Sequence, residues 1–104
     1  GAKLNITSDI NNIGVQDVIY TDTWISMGDE DASKKAAVLA HFAPYQVNHA
    51  LMENTEASVV MHCQPAHLEE EITTELFDSD MAVVFQQAEN RMWAQNAVLV
   101  SLFT

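Results

Sequence analysis

Met61-His62-Cys63-Gln64-Pro65-Ala66-His67 sets a thiol, two imidazoles and a proline side by side, directly after the apolar Ser58-Val59-Val60 and just before the acidic Glu69-Glu70-Glu71. The pattern predicts a strand that empties into a loop opening a helix, and the carboxyl ends of strands in open α/β sheets are where ligands collect. Taken alone, Cys63 is as readily a small buried hydrophobe as a working thiol, and its place beside His62 at a strand end favours the second. His62, Cys63 and His67 are also a conceivable metal set, although no second Cys-x-x-Cys or His-x-x-x-His half accompanies them. A Cys–His protease would need an oxyanion hole and a positioned base that nothing in the sequence announces.

Three further groups can bear on the same chemistry. Asp22 ends the apolar stretch Val18-Ile19-Tyr20-Thr21, where a lone Asp either caps the next turn or meets a cation. Ser26-Met27-Gly28 follows in a loop that also holds Trp24, an expensive composition for a mere connection. Arg91 either pairs with Glu89 and snorkels to solvent or, one turn from a helix start that follows a strand, receives an anion beside free backbone N–H groups.

The elements that must position these groups follow from periodicity. Residues 3–7 alternate polar and apolar around Leu4 and Ile6 and read as a half-buried or edge strand. Ser8 or Asp9 caps a short turn ending near Gly14. Strands are expected at residues 17–21, 58–62 and 81–85. Residues 29–42 form a surface helix with acids in its first turn and Pro44 as its stop. A short helix starts at Asn48 with Leu51 and Met52 inward, and residues 69–77 are helical with Ile72, Leu76 and Phe77 on one side. From Gln87 to Phe103 the residues Ala88, Met92, Trp93, Leu99, Val100 and Phe103 recur at helical spacing and predict a long helix packed across the sheet. Alternating strands and helices make the fold α/β, a small and mostly parallel sheet of about four strands flanked by helices.

Composition bounds the partners. The 104 residues support one domain at most, and a hydrophobic fraction of 48% argues for a packed core. A net charge of −11, with only Lys3, Lys34, Lys35 and Arg91 as cations, repels phosphate backbones and anionic lipid. The acids are dispersed and build no calcium loop. Cys63 has no cysteine partner, which fits a reducing compartment. No apolar stretch approaches the roughly 20 residues of a membrane helix, and none follows Gly1-Ala2-Lys3-Leu4 to make a signal peptide. A cytoplasmic protein with no nucleic-acid partner, no membrane, no cofactor and no metal is expected.

Four motifs in one order carry a resemblance. Asp17-Val18-Ile19-Tyr20-Thr21-Asp22-Thr23-Trp24-Ile25-Ser26-Met27-Gly28, Tyr45-Gln46-Val47-Asn48, His62-Cys63-Gln64-Pro65-Ala66-His67 and Val83-Val84-Phe85-Gln86-Gln87-Ala88-Glu89-Asn90-Arg91 closely resemble ornithine carbamoyltransferase. The resemblance covers the chain and matches only the latter part of that family's ornithine-binding domain. It therefore implies that residues 1–104 are one partial, Rossmann-like domain. The activity it implies is a transferase step of arginine biosynthesis, ornithine plus carbamoyl phosphate giving citrulline and phosphate.

Carried over by position, the resemblance makes Asp22 the receiver of the substrate's α-amino group and puts Ser26 and Met27 on a loop closing over the amino acid. It places His62, Cys63, Gln64 and Pro65 at the substrate's side-chain amine and gives carbamoyl phosphate to Arg91, so that Cys63 and Arg91 are the expected catalytic pair. The types suit these roles: carboxylate for ammonium, polarisable thiolate near an amine, guanidinium for a departing phosphate. The family's Leu-Pro bond is cis, which implies the same at Gln64-Pro65. Gln64 stands where the family has Leu, Leu68-Glu69 where it has Arg-Gly, and Gln86 where it has Asp.

Neither the family's Ser-x-Arg-Thr-Arg loop nor its Gly-Asp-x-x-Asn-Asn turn occurs. In the implied sheet order, two central strands are missing between residues 3–7 and residues 17–21, which leaves the latter strand an unpaired edge. Either the Leu4–Ile6 segment pairs there, or chains associate as a homo-oligomer through that edge or by exchanging elements. No catalysis is expected of the chain alone. The alternative to a carbamoyltransferase part is a free-standing, non-catalytic oligomeric binding or interaction module.

Overall fold

In a computed structural model, residues 1–26 and 31–104 are described. The expectations placed on Met27, Gly28, Asp29 and Glu30 lie outside the described residues. The chain runs through strand β1 (Val18–Thr21), helix α1 (Ala32–Phe42), helix α2 (His49–Thr55), strand β2 (Val59–His62), helix α3 (Thr74–Phe77) and helix α4 (Val84–Phe103).

The sheet is parallel, as the alternation of strands and helices requires. β1 pairs with β2 in the register Val18 to Val59 through Thr21 to His62. Among the described residues only these two strands form, not about four. The apolar run at 81–85 becomes one parallel bridge from Ala82 to Val60. Backbone bonds Val60 N–H to Met81 O at 2.8 Å and Val83 N–H to Val60 O at 3.1 Å hold that bridge, and Gln87 N–H then turns back to Val83 O to open α4. A short apolar run does not distinguish a strand from a helix start, and here it is divided between the two.

Residues 3–7 form no strand. Leu4 and Ile6 are 83% and 88% exposed, so the N-terminal segment does not pair with β1. It is tied down by Tyr45, whose hydroxyl donates to Ser8 O at 2.6 Å, and by a short 3-10 turn at Ile10–Asn12 capped by Asp9. Between the segment and β1 lies an open cleft of about 750 Å³ lined by Ile6, Ile10, Val18, Tyr20 and Leu51 among others.

The core is small and sits on one side of the sheet. Ile19, Val47, Met52, Ala57, Val60, Ile72 and Leu76 form one buried cluster. β2 buries Val60 and His62 in alternation, and β1 buries Ile19 while Val18 and Tyr20 face out. Three helix starts carry a side-chain cap, Asp31 for α1, Asn48 for α2 and Thr73 for α3, each accepting from a backbone N–H of the first turn, whereas α4 opens after Val83 without one. The first turn of α1, counted from Ala32, holds none of the acids expected there. The helix expected over 69–77 shrinks to Thr74–Phe77, because Val47 N–H bonds to Glu71 O and Glu69 N–H to Ile72 O, holding 69–72 as a turn. Glu69 lies there at φ 66, left-handed backbone that suits the Gly of the resembled family. Its carboxylate accepts from Thr74 N–H at 2.7 Å, and that bond holds the Glu69 pKa below its ordinary value.

α4 does not pack across the sheet. Its first turn does: Val84 is buried, and Gln87 reaches β2. Farther on, Trp93, Leu99, Leu102 and Phe103 are exposed, Leu102 by 71%. None of the described helices is long and apolar enough to cross a membrane.

Candidate functional site

The strand ends of β1 and β2 lie side by side because the two strands are parallel and in register, and this sets Asp22 against Cys63. Cys63 Sγ–H donates to Asp22 Oδ1 at 2.9 Å, and Thr23 N–H donates to the same oxygen at 2.6 Å. The bond from Cys63, then that from Thr23, holds the Asp22 carboxyl below its usual range. The same bond, then burial, then the like charge of Asp22 push the Cys63 thiol above its ordinary value. As the site stands, Cys63 is a protonated thiol, and nucleophilic or basic thiolate chemistry has to begin with a change at Asp22.

His62 is fixed from both sides. Gln64 N–H donates to Nδ1 at 2.8 Å, so the ring carries its proton on Nε2 and donates it to Glu71 Oε1 at 2.7 Å. Both side chains are fully buried. With both nitrogens committed, His62 is not free to join Cys63 and His67 around a metal, and that set is not assembled. The peptide before Pro65 is cis, as the resemblance implies, and Gln64 itself sits at φ 54.

Arg91 joins this edge from α4. Tyr20, His62, Cys63, Gln87, Ala88 and Arg91 line a pocket of about 380 Å³. Arg91 stands about two turns from the start of α4, not one, because the helix opens at Val84. Among the described residues it makes no ion pair, and Glu89 accepts instead from Trp93 Nε1 at 3.2 Å. The guanidinium is therefore available to an anion.

Other expected members fall elsewhere. Ser26 lines a separate small pocket with Trp24, Ile25, Lys34, Lys35 and Val38. Gln64 and Pro65 do not line the Arg91 pocket, and Met27 is outside the described residues. Gln87 and its partner Tyr20 also belong to the site, although neither stands out in the sequence as a candidate. Gln87 accepts from His62 N–H at 3.1 Å and donates to Tyr20 Oη at 3.0 Å, clamping both strands to α4. Its spacing of four from Arg91 puts both on one helix face, a signal the sequence did hold.

Comparisons with known proteins point to one family. Residues 1–102 match the family model described as aspartate/ornithine carbamoyltransferase, Asp/Orn binding domain. The ornithine carbamoyltransferase of Shewanella oneidensis is 54% identical over 104 residues, which is 100% of this chain and 34% of that protein. That of Moritella abyssi is 51% identical over 98% of this chain and 33% of its own. Among solved structures, ornithine carbamoyltransferase from Pyrococcus furiosus superposes with a TM-score of 0.72 at 44% identity, over 86% of this chain and 28% of that one. The anabolic enzyme of Campylobacter jejuni gives 0.75 at 29% identity, over 89% and 30%. The chain thus spans about a third of the length of the curated relatives it matches.

Proposed function

Because the chain belongs to the aspartate/ornithine carbamoyltransferase family through its Asp/Orn-binding domain, we propose that it supplies the amino-acid half of an ornithine carbamoyltransferase site. The observation that carries this is Cys63, which bonds to Asp22 on one side and shares a pocket with Arg91 on the other. Ornithine's α-ammonium pairs with Asp22. That pairing withdraws the charge and the acceptor that hold the Cys63 proton, so substrate binding itself lowers the thiol pKa. The side-chain amine then loses a proton with help from Cys63, and its nitrogen attacks the carbamoyl carbon. The bond from that carbon to the phosphate oxygen breaks, and phosphate leaves as Arg91 stabilises its charge. Ser26, Gln64 and Pro65 lie outside the Arg91 pocket, and their contacts with the amino acid rest on the resemblance alone.

Family membership favours this over a free-standing interaction module. Among the described residues that line the pocket, however, Arg91 is the only cation, and holding a phosphoryl leaving group takes several convergent donors. The chain by itself therefore forms no citrulline. We extend the reading to a cytoplasmic homo-oligomer, supported by the unpaired outer edge of β1 among the described residues and the exposed apolar residues of α4.

Amide chemical shifts during a titration with L-ornithine test the proposal, alongside a colorimetric citrulline assay. Shifts at Asp22 and Cys63 that vanish in Asp22→Asn are expected, with no citrulline above the Cys63→Ala background. Unmoved Asp22 and Cys63 amides overturn the binding reading, and Cys63-dependent turnover overturns the claim of inactivity.

A further inference from the structure

Glu71 also belongs to a second group of ligand-bearing residues. A ring nitrogen of His67 and one carboxylate oxygen each from Glu70 and Glu71 lie within 4.8 Å of one another. The same three residues carry atoms closed to solvent and without a hydrogen-bond partner among the described residues: His67 Nδ1, Glu70 Oε2 and Glu71 Oε2. Glu71 is the decisive member. Its side chain is fully buried, and Oε1 is saturated by His62 Nε2–H and His67 N–H, both at 2.7 Å. Among the described residues Oε2 receives nothing, an arrangement folded proteins rarely leave in a buried carboxylate.

Donors among the described residues do not answer the deficit. Lys35 Nζ approaches Glu70 at 3.5 Å but on Oε1, leaving Oε2 open. His67 Nδ1 is 3.4 Å from Glu70 Oε2, beyond a good hydrogen bond. That separation is instead what two ligands on one tetrahedral ion show, since bonds of about 2.0–2.1 Å span about 3.4 Å between donors.

We propose that His67, Glu70 and Glu71 bind a first-row divalent cation of the zinc class. One imidazole with two carboxylates suits such ions better than calcium or magnesium, which take oxygen alone. The side chains of His67 and Glu70 are part-exposed, and that of Glu71 is fully buried. The ion fastens the loop after β2 through Glu71 and His62, and so supports the strand end that carries Cys63. This departs from the metal-free expectation and uses none of the thiol chemistry.

Equilibrium dialysis of the 104-residue chain against zinc chloride, with circular dichroism of each variant, tests it. One zinc per chain is expected. His67→Ala and Glu70→Gln each weaken binding by at least about a hundredfold, since loss of even a group that only supports a ligand costs about 10–100-fold. Cys63→Ser leaves binding unchanged, and the cobalt-loaded chain lacks a thiolate charge-transfer band. Glu70→Gln decides the matter if His67→Ala fails to fold. Absence of zinc binding, binding retained in Glu70→Gln, or binding lost in Cys63→Ser overturns the proposal.

Discussion

Asp22 and Cys63 hold each other in their resting states, the carboxylate charged and the thiol protonated, through one bond of 2.9 Å. The consequence is measurable without substrate. Because the bond that Cys63 donates to Asp22 is the largest cause of the raised thiol pKa, Asp22→Asn removes the like charge and weakens the acceptor, and the pKa falls. Iodoacetamide reacts with thiolate, so its rate at pH 8 should rise in Asp22→Asn and the midpoint of its pH profile move to lower pH. An unchanged profile would show that Asp22 does not govern the thiol. Asp22 and Cys63 were legible in the sequence as polar types at the ends of apolar runs, and Arg91 as one of four cations, whereas its place about two turns inside α4 was not. Tyr20 and Glu71 were not: a Tyr inside an apolar strand and a Glu within a run of three carry no mark of burial or partnership until the chain folds.

At the scale of elements, β1, α1, α2 and β2 were legible because each joins a regular pattern to a capping or turn residue, as Asn48 does for α2. Residues 3–7 and 81–85 show the limit of that reading. Alternation and apolarity signal a strand only where a partner edge is supplied, and partners are a tertiary fact. α4 divides the same way, its periodicity real and its packing confined to the first turn. Leu76, fully buried in the core beside Ile72, and Leu102, exposed on α4, separate the two cases. Leu76→Ala should cost about 2–5 kcal/mol in urea unfolding. Leu102→Ala should stay within about 0.5 kcal/mol. A Leu102 cost near that of Leu76 would mean that the far half of α4 packs against something in the same chain.

For the molecule as a whole, two surfaces ask for cover and one property resists it. β1 presents an outer edge without a strand partner among the described residues, and α4 presents Trp93, Leu99, Leu102 and Phe103 to solvent. Edges and apolar stripes of this kind drive chains together. Against them stands the net charge of −11, which makes any two copies repel. Salt decides the balance, since the screening length falls from about 30 Å at 0.01 M to about 8 Å at 0.15 M. Apolar and edge contacts survive that screening while repulsion does not, so association should strengthen with ionic strength, the reverse of an interface held by ion pairs. Light scattering on size-exclusion fractions loaded at tens of micromolar should show a mass above the monomer at 0.15 M salt and a shift toward monomer at 0.01 M. Leu99→Lys with Leu102→Lys should restore the monomer at 0.15 M if α4 is the contact and leave the oligomer intact if the β1 edge is. A monomer at every salt concentration would remove the homo-oligomer from the functional reading.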